Sequence, residues 1–226
     1  MAYILNIETA TKNCSVALAH DGKAILHREI ADKDYSHAEK LHIFIDEIIS
    51  EAGISYQDLS AVAVSQGPGS YTGLRIGVSA AKGLCYALNI PLIAVDTLQS
   101  LAFGLKGFSL PENALIVPMI DARRMEVYSA VYSAMFDKIR QIQAEIITPE
   151  SFQEFDAPVY IIGDCAEKCK PVLTSDKFIF IENVVYPSAL DMCVLSYESH
   201  KKSDTVDVAY FEPYYLKDFF FPSKSS

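Results

Sequence analysis

Residues 65–77 read SQGPGSYTGLRIG and join three predicted elements of the chain. Leu59–Ser65 is a short apolar stretch that predicts a buried strand. Gly67–Gly69 predicts a sharp loop, because glycine and proline are the residues that most often interrupt regular structure. Tyr71–Leu88 follows with the spacing of a helix. A strand, a tight turn and a long helix in this order indicate an α/β fold.

The glycines of this loop invite comparison with phosphate-binding loops. A Walker A loop has the form Gly-x-x-x-x-Gly-Lys-Ser/Thr. Counted from Gly67 the second glycine position is Thr72, and counted from Gly69 it is Leu74, so neither alignment supplies the lysine. The loop does lead into a helix N-terminus, where backbone N–H groups alone can hold an anion. We expect a tight strand-to-helix turn and leave an incidental anion site open.

The chain before the loop predicts a three-stranded meander and an amphipathic helix. The expected strands are Tyr3–Glu8, Cys14–Ala19 and Ala24–Ile30. A capping box formed by Ser36 and Glu39 begins the helix, which carries apolar residues at helical spacing and ends at Gly53.

After the loop, a strand at Leu92–Val95 and a helix at Thr97–Leu105 complete a first unit, and the pattern then repeats in weaker form. The second pass has expected strands at Ala114–Ile120, Met125–Ser133, Ile139–Ile147, Val159–Gly163 and Phe178–Ile181, and helices from Pro149, from Ala166 and at Ser188–Lys201. The sequence thus predicts an α/β fold of duplicated βββαβα units, with residues 1–106 as one subdomain and 107–226 as a degenerate second copy.

Composition and charge exclude several classes of protein. The 226 residues are 50% hydrophobic, which predicts a folded chain, and 29 acidic against 19 basic residues give a net charge of −10. Such a chain lacks the basic surface that grips a phosphate backbone, so autonomous nucleic-acid binding is not expected. Its longest apolar stretches fall below the roughly 18–20 residues of a membrane span. With no export signal at the N-terminus, we expect a cytoplasmic protein. Five scattered cysteines favour neither a disulfide framework nor a zinc site.

Segments from across the chain resemble one bacterial family. Besides residues 65–77, these segments are Ile4–Thr11, Asn13–Leu18, Ser36–Leu41, Asp121–Tyr128 and Pro213–Lys217. Together they resemble the TsaB family, also called YeaZ. The resemblance implies an actin-like ATPase (ribonuclease H-like) fold. It also implies a non-catalytic role beside a glycoprotease-like catalytic subunit, TsaD, and an ATPase, TsaE.

In that role the chain would support the transfer of a threonylcarbamoyl group to the adenosine next to the anticodon of tRNA. Contact with tRNA would then be indirect, through the complex. Whether the chain alone is a monomer or a homodimer stays open, as does an ATP or ADP at an interface of the complex.

The residues that would make the chain itself an enzyme are incomplete. Actin-like ATPases hold metal and phosphate in two hairpin turns that contain glycine, whereas the turns at Glu8–Thr11 and Asp121–Arg124 keep a carboxylate but no glycine. On the first helix, His37 and His42 are separated by roughly 140°, so their imidazoles diverge. We therefore expect no catalytic, cofactor-binding or metal-ligating residue. The alternatives are a small actin-like ATP-dependent enzyme and a glycoprotease-like metallopeptidase.

One face of the helix after the glycine loop is lined by small residues, which permits close approach of another helix. We expect this face to dock a second chain. The alternative is that it packs against the chain's own first helix. The predicted interface residues are Gly73, Ile76, Gly77, Ala80, Gly83, Leu84, Ala87, His37 and Leu41. In this projection, Gly77→Leu should leave the fold intact and weaken association by about ten- to a hundredfold.

The end of the chain, Pro213–Pro222, is too aromatic for a solvated terminus. Either the chain's own body or a partner should cover it, and the role of Phe219–Phe221 stays open.

Overall fold

The computed structural model describes residues 1–31 and 37–217. The elements of the first half are β1 (Tyr3–Glu8), β2 (Asn13–His20), β3 (Lys23–Ala31), α1 (His37–Glu51), β4 (Leu59–Gly67), α2 (Tyr71–Leu88), β5 (Leu92–Asp96) and α3 (Thr97–Phe103). Those of the second half are β6 (Leu115–Asp121), β7 (Glu126–Ser133), β8 (Lys138–Ile146), β9 (Val159–Ile162), α4 (Ala166–Cys169), β10 (Phe178–Phe180) and α5 (Ala189–Lys201). Most lie within two residues of their predicted bounds. The predicted cap residue Ser36 lies outside the described residues.

The helix predicted from Pro149 is wrong. The backbone there makes consecutive turns, in which the Ser151 N–H donates to the Thr148 carbonyl oxygen (3.0 Å) and the Gln153 N–H to that of Glu150 (3.2 Å). Phe152 has a φ of +63°, a left-handed conformation that interrupts a right-handed helix. Its ring is buried in the core beside the second sheet, and this burial keeps the irregular backbone in place.

Each half forms a five-stranded sheet of the same topology. The strand order is β3-β2-β1-β4-β5 in the first sheet and β8-β7-β6-β9-β10 in the second. In both, the first three strands form an antiparallel meander, and the fourth and fifth join in parallel. The predicted duplication is therefore present in the fold. At the edge, β3 alternates between partly buried and exposed residues, whereas β1 at the centre of the sheet is almost wholly buried, as a strand covered on both faces must be.

The last helix of each half packs on the sheet of the other half. Helix α5 contributes Ala189, Met192 and Cys193 to a core whose other members belong to the first sheet. Conversely, α3 contributes Leu98 and Leu101 to a core built on the second sheet. The predicted boundary after residue 106 stays a prediction, but neither half has a complete core without a helix from the other.

Each of the five cysteines is a buried, free thiol. Within the described ranges, none of the helices combines the length and the apolar character that crossing a membrane requires.

The exchange of helices generates a stability prediction. Met192 is fully buried between α5 and the first sheet, so Met192→Ala should lower the free energy of unfolding by about 2–5 kcal/mol. On the same helix Leu190 is 42% exposed, and Leu190→Ala should change that free energy by no more than about 0.5 kcal/mol. Urea unfolding followed by far-UV circular dichroism measures both. Equal losses in the two variants would contradict the packing of α5 on the first sheet.

Candidate functional site

The first hairpin turn keeps its carboxylate inside the fold. Glu8 is completely buried, and its Oε1 accepts hydrogen bonds from the Ala10 N–H (2.6 Å) and the Ser65 hydroxyl (2.9 Å). Burial raises the pKa of Glu8 from 4.5 to about 7, and the three hydrogen bonds from Ala10, Ser65 and the Thr9 backbone only partly oppose this. A carboxyl group turned into its own turn cannot reach a metal ion or a phosphate between the two halves.

The second hairpin turn holds a cation that belongs to the chain itself. The Lys168 ammonium group pairs with Asp121 and also donates to the carbonyl oxygens of Arg124 (2.8 Å) and Glu126 (2.9 Å). The Asp121 carboxylate is thereby already paired with a cation of the same chain. Together with the missing glycines, these contacts mean that the residues of the two turns do not fit a metal-bound nucleotide.

The glycine-rich loop packs directly against the first turn. The Ser70 N–H donates to the Ala10 carbonyl oxygen (2.6 Å), and the Thr9 hydroxyl donates to the Gly73 carbonyl oxygen (2.8 Å). A Cβ atom at Gly73 would overlap the Thr9 carbonyl oxygen, and one at Gly77 would overlap the Thr9 hydroxyl. The glycines therefore permit two backbones to touch, as in the tight strand-to-helix turn expected from the sequence.

Four of the nine predicted interface residues are placed inside the chain, and their prediction as surface residues is wrong. Gly73 and Gly77 face the first hairpin turn, for the reason just given. Leu41 is fully buried in the core under α1. His37 is 1% exposed, and its Nε2 lies 2.9 Å from the Thr11 carbonyl oxygen. His42, by contrast, is exposed, so the two imidazoles diverge as the spacing predicts.

Four others lie together at the surface, and their role stays a prediction. Ile76, Ala80, Gly83 and Leu84 line a groove of about 830 Å³ between α1 and α2. From α1 the groove is lined by Ala38, His42, Ile45 and Asp46, with Tyr56 beyond its end and Tyr71, Thr72, Arg75 and Ser79 on α2. The ninth residue, Ala87, is exposed further along α2. A helix packed on its own sheet thus keeps a second, mostly apolar wall facing outward.

A separate cleft of about 660 Å³ lies between the two halves. Its walls are the first turn, the loop at 68–72, the second turn and the chain segment at 214–217. The described part of the aromatic tail lies against the chain's own body, with Tyr215 partly buried and Tyr214 still 44% exposed, while Phe219–Phe221 lie outside the described residues. Lys82 on α2 donates to the carbonyl oxygens of Ala209 (3.1 Å) and Phe211 (3.0 Å), just before this tail. No spacing rule connects a lysine to carbonyl groups so distant in sequence.

Comparison with known proteins identifies the family of this chain. The family model described as "TsaD: tRNA N6-adenosine threonylcarbamoyltransferase" matches residues 27–210. The tRNA threonylcarbamoyladenosine biosynthesis protein TsaB of Escherichia coli (strain K12) is 31% identical over 223 residues, which cover 95% of this chain and 94% of that protein. The chain belongs to the TsaB family.

Solved structures agree with that membership. YeaZ from Pseudomonas aeruginosa superimposes with a TM-score of 0.80 at 27% identity, covering 96% of this chain and all (100%) of that one. An inorganic polyphosphate/ATP-glucomannokinase from Arthrobacter sp. strain KM shares the fold alone, with a TM-score of 0.50 at 8% identity over 88% of this chain and 99% of that one. The predicted family and the predicted actin-like fold are both confirmed.

Among residues 1–31 and 37–217, no group of three or more His, Cys, Asp and Glu side chains is placed to hold a metal ion.

The glycine contacts predict opposite outcomes at two positions of α2 in this TsaB-family chain. Gly77→Ala places a methyl group on the Thr9 hydroxyl and should cost about 1–3 kcal/mol of stability, and Gly77→Leu should cost more. A Cβ atom at Gly83 meets nothing within 4 Å, so Gly83→Ala should stabilise the chain by up to about 1 kcal/mol through helix propensity. Thermal unfolding of the two alanine variants checks this. A Gly77→Ala variant as stable as the unsubstituted chain would show that Gly77 faces outward after all.

The buried Glu8 predicts a pH dependence of stability. As pH rises from about 4.5 to about 7, the unfolded chain ionises this carboxyl group while the folded chain keeps it neutral. The free energy of unfolding should therefore fall across this window, by about 3 kcal/mol from Glu8 alone. Burial also raises the pKa of Asp191, to about 6, which acts in the same direction.

Glu8→Gln should make that fall shallower, because the amide cannot ionise. Urea unfolding of both proteins at about pH 5 and about pH 7.5 measures the difference. Identical pH dependence in the two proteins would contradict the raised pKa of Glu8.

Proposed function

We propose that the chain is a non-catalytic subunit that docks a TsaD-like catalytic subunit through the groove between α1 and α2. By holding that subunit in its working conformation, it supports transfer of a threonylcarbamoyl group to the adenosine next to the anticodon of tRNA. The groove, with its wall of Ile76, Ala80, Gly83 and Leu84, is the observation that carries the proposal.

The chemistry of the groove suits a helix better than a small polar ligand. At Gly83 the α2 backbone is open to approach, because even a Cβ atom there would touch nothing. Alanine and glycine at positions 80 and 83 let another helix come close, and van der Waals contact is then made along the whole seam. A glycine inside a helix costs about 1 kcal/mol relative to alanine, and close packing against a partner would repay this cost.

The similarity to TsaD favours a TsaD-like occupant. The TsaD family model spans residues 27–210, which include both α1 and α2. A TsaD-like partner is therefore expected to present an equivalent helix pair. Two related helix pairs can pack face to face about a pseudo-twofold axis, in the manner of an isologous dimer.

The two hairpin turns support a non-catalytic role. Glu8 is bonded within its own turn, and the Lys168 ammonium group pairs with Asp121. The chemistry is therefore assigned to the TsaD-like subunit, with a TsaE-like ATPase as a further component. The net charge of −10 favours tRNA being held elsewhere in the complex, in the cytoplasm where tRNA is modified.

The groove gives a sharp test of docking. Gly83→Leu should fill the groove without disturbing the monomer, because the side chain enters open space. Binding of the cognate TsaD-like protein, measured by isothermal titration calorimetry, should weaken by about ten- to a hundredfold. The matched control is Tyr86→Leu, on the same helix but not lining the groove, where the side chain is 86% exposed; its affinity should stay within about threefold. Equal affinity in the two variants would place the interface elsewhere.

The biological consequence is tested by the tRNA itself. Deletion of the native gene should deplete threonylcarbamoyladenosine, as measured by nucleoside mass spectrometry, while synthesis of the activated threonylcarbamoyl intermediate continues. An unchanged level of the modified nucleoside would contradict the role. ATP turnover by the purified chain alone would instead favour the small actin-like enzyme.

A further inference from the structure

The described end of the chain forms a strap, defined here as residues 206–217. It begins at the edge of the first sheet, where the Val206 N–H donates to the Leu92 carbonyl oxygen (2.9 Å). It then crosses α2, where the Lys82 ammonium group donates to two of its carbonyl oxygens and Phe211 packs on the core of the first half.

The far end of the strap runs along the cleft to the second half. The Tyr214 N–H donates to the Gln66 carbonyl oxygen (2.7 Å), which fixes the strap beside the glycine loop. Lys217 then pairs with Glu126 at the start of β7. The strap therefore touches both halves and forms one wall of the cleft.

Arg75 stands where the strap meets the groove. Its guanidinium carbon lies 4.0 Å from the centre of the Tyr71 ring, and its Nε donates to the Tyr215 hydroxyl (3.2 Å). The rings of Tyr71 and Tyr215 are 4.9 Å apart. Arg75 and Tyr71 also line the groove, and Tyr71 lines the cleft as well. One exposed cation thus links a residue of the strap to the wall of the docking surface.

We propose that occupancy of the groove and seating of the strap are coupled through Arg75. The coupling rests on the proposed function, since the occupant is the TsaD-like subunit. A partner that covers the groove removes water from the guanidinium group. Its attraction to the Tyr71 ring and its hydrogen bond to Tyr215 then strengthen, because cation–π contacts gain when they are desolvated.

Docking should therefore lower the equilibrium constant for opening of the strap by about fivefold. By reciprocity, a chain whose strap cannot be held by Arg75 should bind the partner about fivefold more weakly. Arg75 acts here as a positioning residue, not a catalytic one.

Hydrogen exchange of the amides at residues 212 and 214–217, with and without the TsaD-like partner, measures the coupling. In the unsubstituted chain, binding should slow exchange at Tyr214 by about fivefold. In Arg75→Met the slowing should disappear.

Lys82→Met is the matched control, because Lys82 anchors the strap but does not line the groove. Its free chain should exchange faster, yet binding should still slow that exchange by about fivefold. Retained slowing in Arg75→Met would mean that the partner covers the strap directly, and would overturn the coupling. If the unsubstituted chain binds the partner but its exchange does not change, the coupling alone is overturned. If calorimetry detects no binding, the proposed function is overturned together with the coupling.

Discussion

The contact between the first hairpin turn and the beginning of α2 determines the arrangement of everything around it. The two backbones touch, with Ala10 accepting from Ser70 and Thr9 donating to Gly73, and this is feasible only where α2 has no side chain. The contact uses Gly73 and Gly77 internally and leaves the adjoining face of α2, with Ala80 and Gly83, on the outer groove. It also packs the glycine-rich loop against protein backbone. The same residues that resemble a phosphate loop therefore fix the start of α2 against the first turn.

Two lysine side chains bind acceptors of the chain itself, one at the second hairpin turn and one at the strap. Lys168 satisfies one carboxylate and two carbonyl groups in the second hairpin turn. Lys82 satisfies two carbonyl groups of the strap. An ammonium group with three donors suits such sites, since each would otherwise leave several acceptors unpaired at the protein surface. In the second hairpin turn the chain's own lysine thus occupies the acceptors that the turn presents.

Much of the fold follows from local patterns, and the bounds of α2 agree with the prediction at both ends. The helix expected from Pro149 fails because burial of Phe152 imposes a left-handed backbone that no propensity indicates. The packing of α3 and α5 on opposite sheets could not be predicted either, because a helical projection shows which face is apolar but not which sheet covers it.

For the site, the same limit explains why Gly77 and Gly83 were assigned to one surface. Both lie on the small-residue side of α2, but Thr9 reaches only the first of them, and Thr9 is far away in sequence. His37 and Leu41 lie on α1 as the sequence predicts, but on its buried side rather than at an interface. What the sequence could identify was the helix; which of its glycines face outward depends on a tertiary contact.

The docking surface itself can be tested most directly by site-specific cross-linking in the assembled complex. A photoreactive side chain placed at position 83, in the groove, should capture the TsaD-like subunit. The same group placed at position 139 should not, because Ile139 is an exposed residue (51%) of β8, remote from the groove. Capture from position 139 but not from position 83 would contradict docking through the α1–α2 groove.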